Sequence, residues 1–332
     1  MPLVGNLALW GMQGVTIPDT MSSSLPADPE LPGLGAIRAM GLAAILSLAF
    51  EDPVELRLRT HKPGLKATIE ARTETRHFAI ELYASDPAPL VELYEAFAHA
   101  GVAGDSGARV PPLLAWDRDL RLMVVGWLEG PTARELIERG QGERAGELAA
   151  AWLARAATLP VTLGKLTGRE LALRRTRKWV AKLHAADRTL GESAQAVADL
   201  LARSPAKDGR IRLIHDAFHD RNVLDLHDGP GVIDWERFGQ GPAEVEAGMY
   251  LASISAERLR EDTESRATAV RQARQAFLDR ASPLLDDRAL AWYQAAGLVR
   301  KADRQLTKKR GDWHGRLTTL LEEAAEHAER AM

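Results

Sequence analysis

Between Leu213 and Glu236 the chain gathers His215, Asp216, His219, Asp220, Asn222 and Asp234 into one short stretch. Imidazoles, carboxylates and a single amide in this mixture suit metal-assisted chemistry on a phosphate-bearing ligand. An amide oxygen and a carboxylate can hold Mg²⁺ against phosphates while a neighbouring group addresses an acceptor hydroxyl. The stretch from Leu213 to Glu236 reads as two short buried strands joined by a polar turn, with these polar residues held beside them. Asp234, between Ile233 and Trp235, would be a buried carboxylate in need of a partner; a metal accounts for it better than an ion pair. Taken singly, His215 and His219 read as satisfied core histidines; only the full set reverses that.

The elements that must carry this stretch follow from hydropathy. With 332 residues, 45% hydrophobic and 27% charged, the chain can bury one large core or two lobes. Its net charge of −3 gives no global attraction to nucleic acid or to an anionic membrane. The absence of cysteine excludes disulfides, thiolate metal sites and cysteine nucleophiles, and fits the cytoplasmic location expected here. No Gly-x-Ser-x-Gly elbow occurs. Residues 1–30 read as an N-terminal tail, loosely ordered and packed in part through Leu7, Leu9 and Trp10. The most apolar run, 39–50, has twelve residues against the roughly 20 needed to span a bilayer. It belongs to a core helix over 34–50, and no membrane partner is expected.

Period-two alternation predicts strands over 54–59, 67–72 and 78–83, with Lys62-Pro63-Gly64 turning between the first two. A helix over 90–100 and strands over 110–116 and 120–128 complete a segment 31–128. After the break at Glu129-Gly130-Pro131 the remainder, 129–332, is mostly helical. Strands followed by helices imply an α+β arrangement with segregated lobes.

This order of parts resembles the aminoglycoside phosphotransferase and choline kinase relatives of the protein-kinase fold. The residues that carry it are the Lys-Pro-Gly turn, a third strand ending at Tyr83, Trp127-Leu128-Glu129-Gly130, His-x-x-x-His-x-x-Asn from His215 to Asn222, and Ile-Asp-Trp-Glu around Asp234. The resemblance implies a two-lobed fold with a small antiparallel-sheet lobe and a larger helical lobe. It further implies ATP and Mg²⁺ as cofactors, Asn222 and Asp234 as metal ligands, and a small polar hydroxyl compound (aminoglycoside, sugar or amino alcohol) as acceptor. His215 would orient the loop and His219 would lie beside it. Lys62, Gly64, Lys66, Val125 and Trp127 would meet the nucleotide.

Two positions depart from that pattern. Ala217 stands where such kinases place the catalytic aspartate, and a methyl group cannot position or deprotonate a hydroxyl; losing that group costs roughly 10²–10⁴-fold in rate. Asp216 and Asp220 flank the gap as candidate substitutes, with Asp216 expected to face away. Glu81 aligns with a phosphate-binding lysine, although the alternation leaves its face open by one residue. The alternatives are therefore an active small-molecule kinase or a catalytically silent kinase-like protein that binds a nucleotide or partner, and Ala217 is equally what a deliberate exchange of aspartate would leave. The basic stretches 169–182 and 300–310 read as solvated helix faces rather than as a nucleic-acid surface.

Overall fold

The structure, a computed structural model, describes residues 16–46, 53–259, 264–306 and 311–332. It divides into an N-terminal unit, Met1–Gly104 with Pro111–Leu128, and a C-terminal unit, Asp105–Val110 with Glu129–Met332.

The N-terminal unit is an antiparallel sheet in the order β1-β2-β3-β4-β6-β5, formed by β1 (Thr16–Pro18), β2 (Glu55–Lys62), β3 (Lys66–Arg72), β4 (His77–Tyr83), β5 (Leu113–Asp117) and β6 (Leu122–Gly126). Alternation puts Leu56, Leu58, Ile69, Phe78, Ile80, Leu82 and Val124 on one face, where they pack with Leu34 and Ile37 of helix α1 (Pro32–Met40). Burial of each large apolar side chain contributes about 1.5–3 kcal/mol. A one-residue slip would turn the whole set toward water, so the pattern also fixes the register. Gly33 lets α1 lie against the sheet, since a Cβ there would sit 2.7 Å from the Leu120 carbonyl oxygen.

The helix expected over 34–50 is interrupted. Gly41 takes φ +81°, which a residue with a side chain rarely adopts, and α2 (Leu42–Ile45) starts anew. Asp19 accepts the N–H groups of Leu42 and Ala43 at 2.7 and 3.2 Å, satisfying donors that a continuous helix would have paired internally. Residues 47–50 lie outside the described ones, as do Leu7, Leu9 and Trp10. The part of the expected tail that is described is built into the unit: Thr16–Pro18 pairs with β2, and Ile17 and Leu25 join the core. Helix α3 (Ala88–His99) buries Leu90, Leu93, Tyr94 and Phe97.

In the C-terminal unit, Thr132 and Glu135 form a capping box that starts α4 (Ala133–Glu138), which is followed by α5 (Gly142–Ala156). Gly130, just before, passes so close to a later segment that a Cβ would lie 2.0 Å from the Asp225 carbonyl oxygen. Helices α6 (Arg169–Ala186) and α7 (Arg188–Arg203) lie in sequence between β7 (Lys165–Leu166) and β8 (Arg212–Ile214), which join β11 (Gly239–Gly241) in a three-stranded sheet of order β7-β11-β8. Strands β9 (Val223–Asp225) and β10 (Pro230–Val232) form an antiparallel hairpin. Four further helices follow among the described residues: α8 (Ala243–Arg258), α9 (Glu264–Ala281), α10 (Asp287–Gln305) and α11 (Trp313–Arg330). Helix α8 is buried almost all round, so it can carry polar groups to the hairpin only from inside the core. It meets α10 at Gly248, where a Cβ would lie 2.6 Å from the Tyr293 backbone. No helix among the described residues is long and apolar enough to cross a membrane.

Candidate active site

The β9–β10 hairpin brings the two expected metal ligands to one end. Val223 lies opposite Val232, and the next rung is the Ile233 N–H donating to the Asn222 carbonyl at 3.1 Å. Asn222 and Asp234 therefore flank the open end of the same hairpin. The Asn222 side-chain N–H₂ donates to the Ala217 carbonyl at 3.2 Å, which leaves its amide oxygen as the metal-type donor. Asp234 has φ +68°, a left-handed bend just after the strand. Among the described residues no group of three or more His, Cys, Asp or Glu is placed to hold a metal. Two hard oxygen donors fit Mg²⁺, which takes few protein ligands and leaves the rest to phosphate and water.

His215 joins this end to the core. It is fully buried; its backbone N–H donates to Glu246 at 2.8 Å, its Nε2 lies 2.8 Å from the Ile233 carbonyl, and its ring sits 4.5 Å from Trp235. Burial lowers its pKa, so the ring is neutral near pH 7. His219 is pushed down to about 3 by burial and then by Lys301, and its Nδ1 accepts the Arg221 N–H at 3.4 Å.

The two aspartates beside Ala217 are both engaged. Asp216, at φ +53°, accepts two bonds from Arg175 at 2.8 and 2.9 Å and has Arg237 at 3.8 Å. Asp220 is 1% exposed and accepts from Arg134 Nε at 2.8 Å, while its own N–H donates to Ser253 at 3.1 Å. Burial alone would raise the Asp220 pKa, but the charges of Lys301 and Arg134 outweigh it and hold the carboxylate below its usual range. Asp220 is thus an ion-pair partner of Arg134 in addition to being a candidate catalytic group.

Residues that sequence reasoning passed over do much of the positioning. Glu246, Tyr250, Ser253 and Glu257 recur at helical spacing on α8, so they form one stripe. Glu246 takes the N–H groups of His215 and Asp216, Tyr250 packs 5.8 Å from Phe218, Ser253 holds Asp220, and Glu257 pairs with Arg134. Polar residues at that spacing in an otherwise apolar helix were the available signal. The basic stretches are also more than solvated faces. Arg175 on α6 binds Asp216, Lys182 lies 3.6 Å from Asp303, and Arg300 on α10 reaches the Asp216 carbonyl at 3.5 Å.

In the N-terminal unit, Gly64 takes φ +69° in the Lys-Pro-Gly turn, and its N–H donates to Asp28 at 2.9 Å. The same carboxylate oxygen lies 2.9 Å from His61 Nε2. That amide therefore already has a partner within the unit. Lys62 and Lys66 face each other across β2 and β3, and Lys66 lies opposite Tyr83. Glu81 pairs with Thr68 and Met123 on the face away from Phe78, Ile80 and Leu82, and accepts a bond from the Tyr83 hydroxyl. The open question of its face is thereby closed. Val125 is buried opposite Ala79; Trp127 stacks on His77 at 4.4 Å with Arg59 at 5.5 Å, and its N–H donates to the His77 carbonyl.

Comparison with known proteins agrees with this architecture. Aminoglycoside phosphotransferase APH(4)-Ia aligns with 14% identity and a TM-score of 0.56 over 88% of this chain and 97% of its own. Its ternary complex with ADP and hygromycin B aligns with 15% identity and a TM-score of 0.53 over 83% and 93%. A glucosamine kinase aligns with 19% identity and a TM-score of 0.53 over 89% and 87%. At such identities the likeness shows the fold, a kinase-like α+β protein with an antiparallel N-terminal sheet and a mainly helical C-terminal part. No curated protein matches the sequence. The phosphotransferase enzyme family profile matches residues 55–284, well over half of the chain, and the protein belongs to that family.

Proposed function

We propose that the chain transfers the terminal phosphoryl group of ATP, with Mg²⁺, to a hydroxyl of a small polar molecule. The observation that carries this reading is the shared end of the β9–β10 hairpin, where Asn222 and Asp234 present hard oxygen donors held by the Asn222–Ile233 rung and by His215. A bound Mg²⁺ would neutralise charge on the phosphates. The chain's own residues do the rest: neutral His215 fixes the position of Ile233 and hence of Asp234, and Asn222 is fixed through Ala217. Val125, Trp127, Lys62 and Lys66 remain the nucleotide-side residues proposed for the N-terminal unit.

A second reading, a silent nucleotide-binding protein, is favoured by one observation. Ala217 offers no carboxylate, and Asp220 is tied to Arg134. Thermal unfolding with ATP and Mg²⁺ separates the outcomes from a non-binder, because saturation at 100 times Kd adds about 2.7 kcal/mol. Metal-dependent stabilisation together with ADP release on a panel of hydroxyl acceptors supports the kinase. Stabilisation without turnover, restored by Ala217→Asp, selects the silent reading. No nucleotide effect with or without Mg²⁺ rejects both.

A further inference from the structure

Behind the loop, within the C-terminal unit, lies a pocket lined by Arg175 and Trp179 of α6, Asp216, Met249 of α8, and Tyr293 and Arg300 of α10. Its charge does not balance. Arg175 and Arg237 converge on the carboxylate of Asp216, and Arg300 reaches the backbone carbonyl of the same residue. Arg300 is the least satisfied: its contacts are the Asp216 carbonyl at 3.5 Å and the Met249 sulfur at 3.8 Å, for a group with five N–H donors. Burial and then Arg237 push its pKa down to about 10, so it stays charged at neutral pH. The Tyr293 hydroxyl is turned to Asp208 at 2.6 Å, leaving an aromatic wall instead of a second anion. Apolar walls around a few convergent polar groups are the general form of a small-molecule site. Arginine prefers planar or tetrahedral oxyanions, which it can bind with two parallel hydrogen bonds.

We infer that this pocket binds a small oxyanion, a phosphate or carboxylate group, between Arg300 and Arg175, and that the anion acts on the catalytic loop by competing with Asp216 for Arg175. Its source is either free phosphate or the phosphate or carboxylate group of a larger polar molecule. Neither case requires the chain to turn over ATP.

Isothermal titration of the full chain with inorganic phosphate, glucose 6-phosphate, gluconate and cationic hygromycin B, at constant ionic strength, tests the site. Binding of at least one of the three anions, with no competing hygromycin B site, is expected. Arg300→Gln should weaken that binding by about tenfold or more, and Arg300→Lys should recover only part of it. Arg175→Gln, which removes the other guanidinium of the proposed site, should also weaken binding and serves if the Arg300 variants do not fold. Phosphate alone binding points to the free ion, and polyol anions binding more tightly points to the organic source. Absence of anion binding at millimolar concentration, or binding unchanged in all three variants, overturns the inference. Titration of Mg²⁺-ATP in the same preparations reads the proposed function separately.

Discussion

In the N-terminal unit side chains on the sheet near the expected nucleotide side are held by close neighbours: Tyr83 by Glu81 two residues away, and His77 by Glu70 across one hairpin. Only the Lys-Pro-Gly turn there is held from afar, by Asp28. In the C-terminal unit the loop from His215 to Asp220 is held from far along the chain. Glu246 and Ser253 are 31 and 33 residues from their partners, and Arg134 is 86 residues from Asp220. The first arrangement forms with the sheet itself. The second exists only once α4, α8 and α10 have packed, because its donors and acceptors are buried and must find one another inside the core. A loop held in this way is rigid but depends on the whole unit, whereas a strand face can change residues with little effect elsewhere.

That contrast can be broken by experiment. The largest effect is expected for Glu246→Ala. It strands the buried N–H groups of His215 and Asp216, each costing about 1–3 kcal/mol, so urea unfolding of the C-terminal unit should shift by several kcal/mol. A loss below about 1 kcal/mol would show that the loop does not rely on α8. Asp28→Ala is expected to cost less, about 1–3 kcal/mol, through the Gly64 N–H and His61, and its hydrogen-exchange effect should be confined to the N-terminal unit. Spread of that effect to residues 215–234 would erase the distinction.

Glu81→Lys should leave folding nearly unchanged and tighten ATP by roughly fivefold, about 1 kcal/mol, if this face meets phosphate. Unchanged affinity in titration calorimetry would place phosphate elsewhere.

The last effect is a gradual slope with pH and not a single loss. The folded His219 pKa of about 3 lies below its ordinary 6.5, so between those values the unfolded chain binds a proton that the folded chain does not. Stability from this group is present above pH 6.5 and falls as pH drops toward 3, by at most about 1.4 kcal/mol per unit. His219→Gln should flatten that slope in Tm against pH, and an unaltered slope would assign it to the other buried histidines, His215 and His327.

Local pattern made most of the N-terminal sheet legible. Its strands follow from period-two alternation, and the hairpin around Asn222 and Asp234 follows from two apolar runs and a turn. The broken helix at Gly41 was missed because composition favours helix on both sides, and only the distant Asp19 carboxylate stabilises a new start. The surroundings of Asp220 were hidden for a similar reason: its type suggests a base, but the pairing with Arg134 and the nearby Lys301 come from remote segments. The Lys-Pro-Gly turn was read correctly as a turn, but the partner of its Gly64 N–H was not legible, since Asp28 lies 36 residues away in sequence.

By itself, then, the sequence determined the strand faces, the order of sheet before helices, and the pairing of an amide with a carboxylate across a short hairpin. Those features depend on neighbouring residues and on a periodicity that the backbone imposes. Tertiary structure alone decided which carboxylates are bound to cations, which backbone donors are already satisfied, and that arginines from α6 and α10 and from beyond β10 converge beside Asp216. Electrostatic energy depends on distance and burial, and neither is fixed until remote segments pack together.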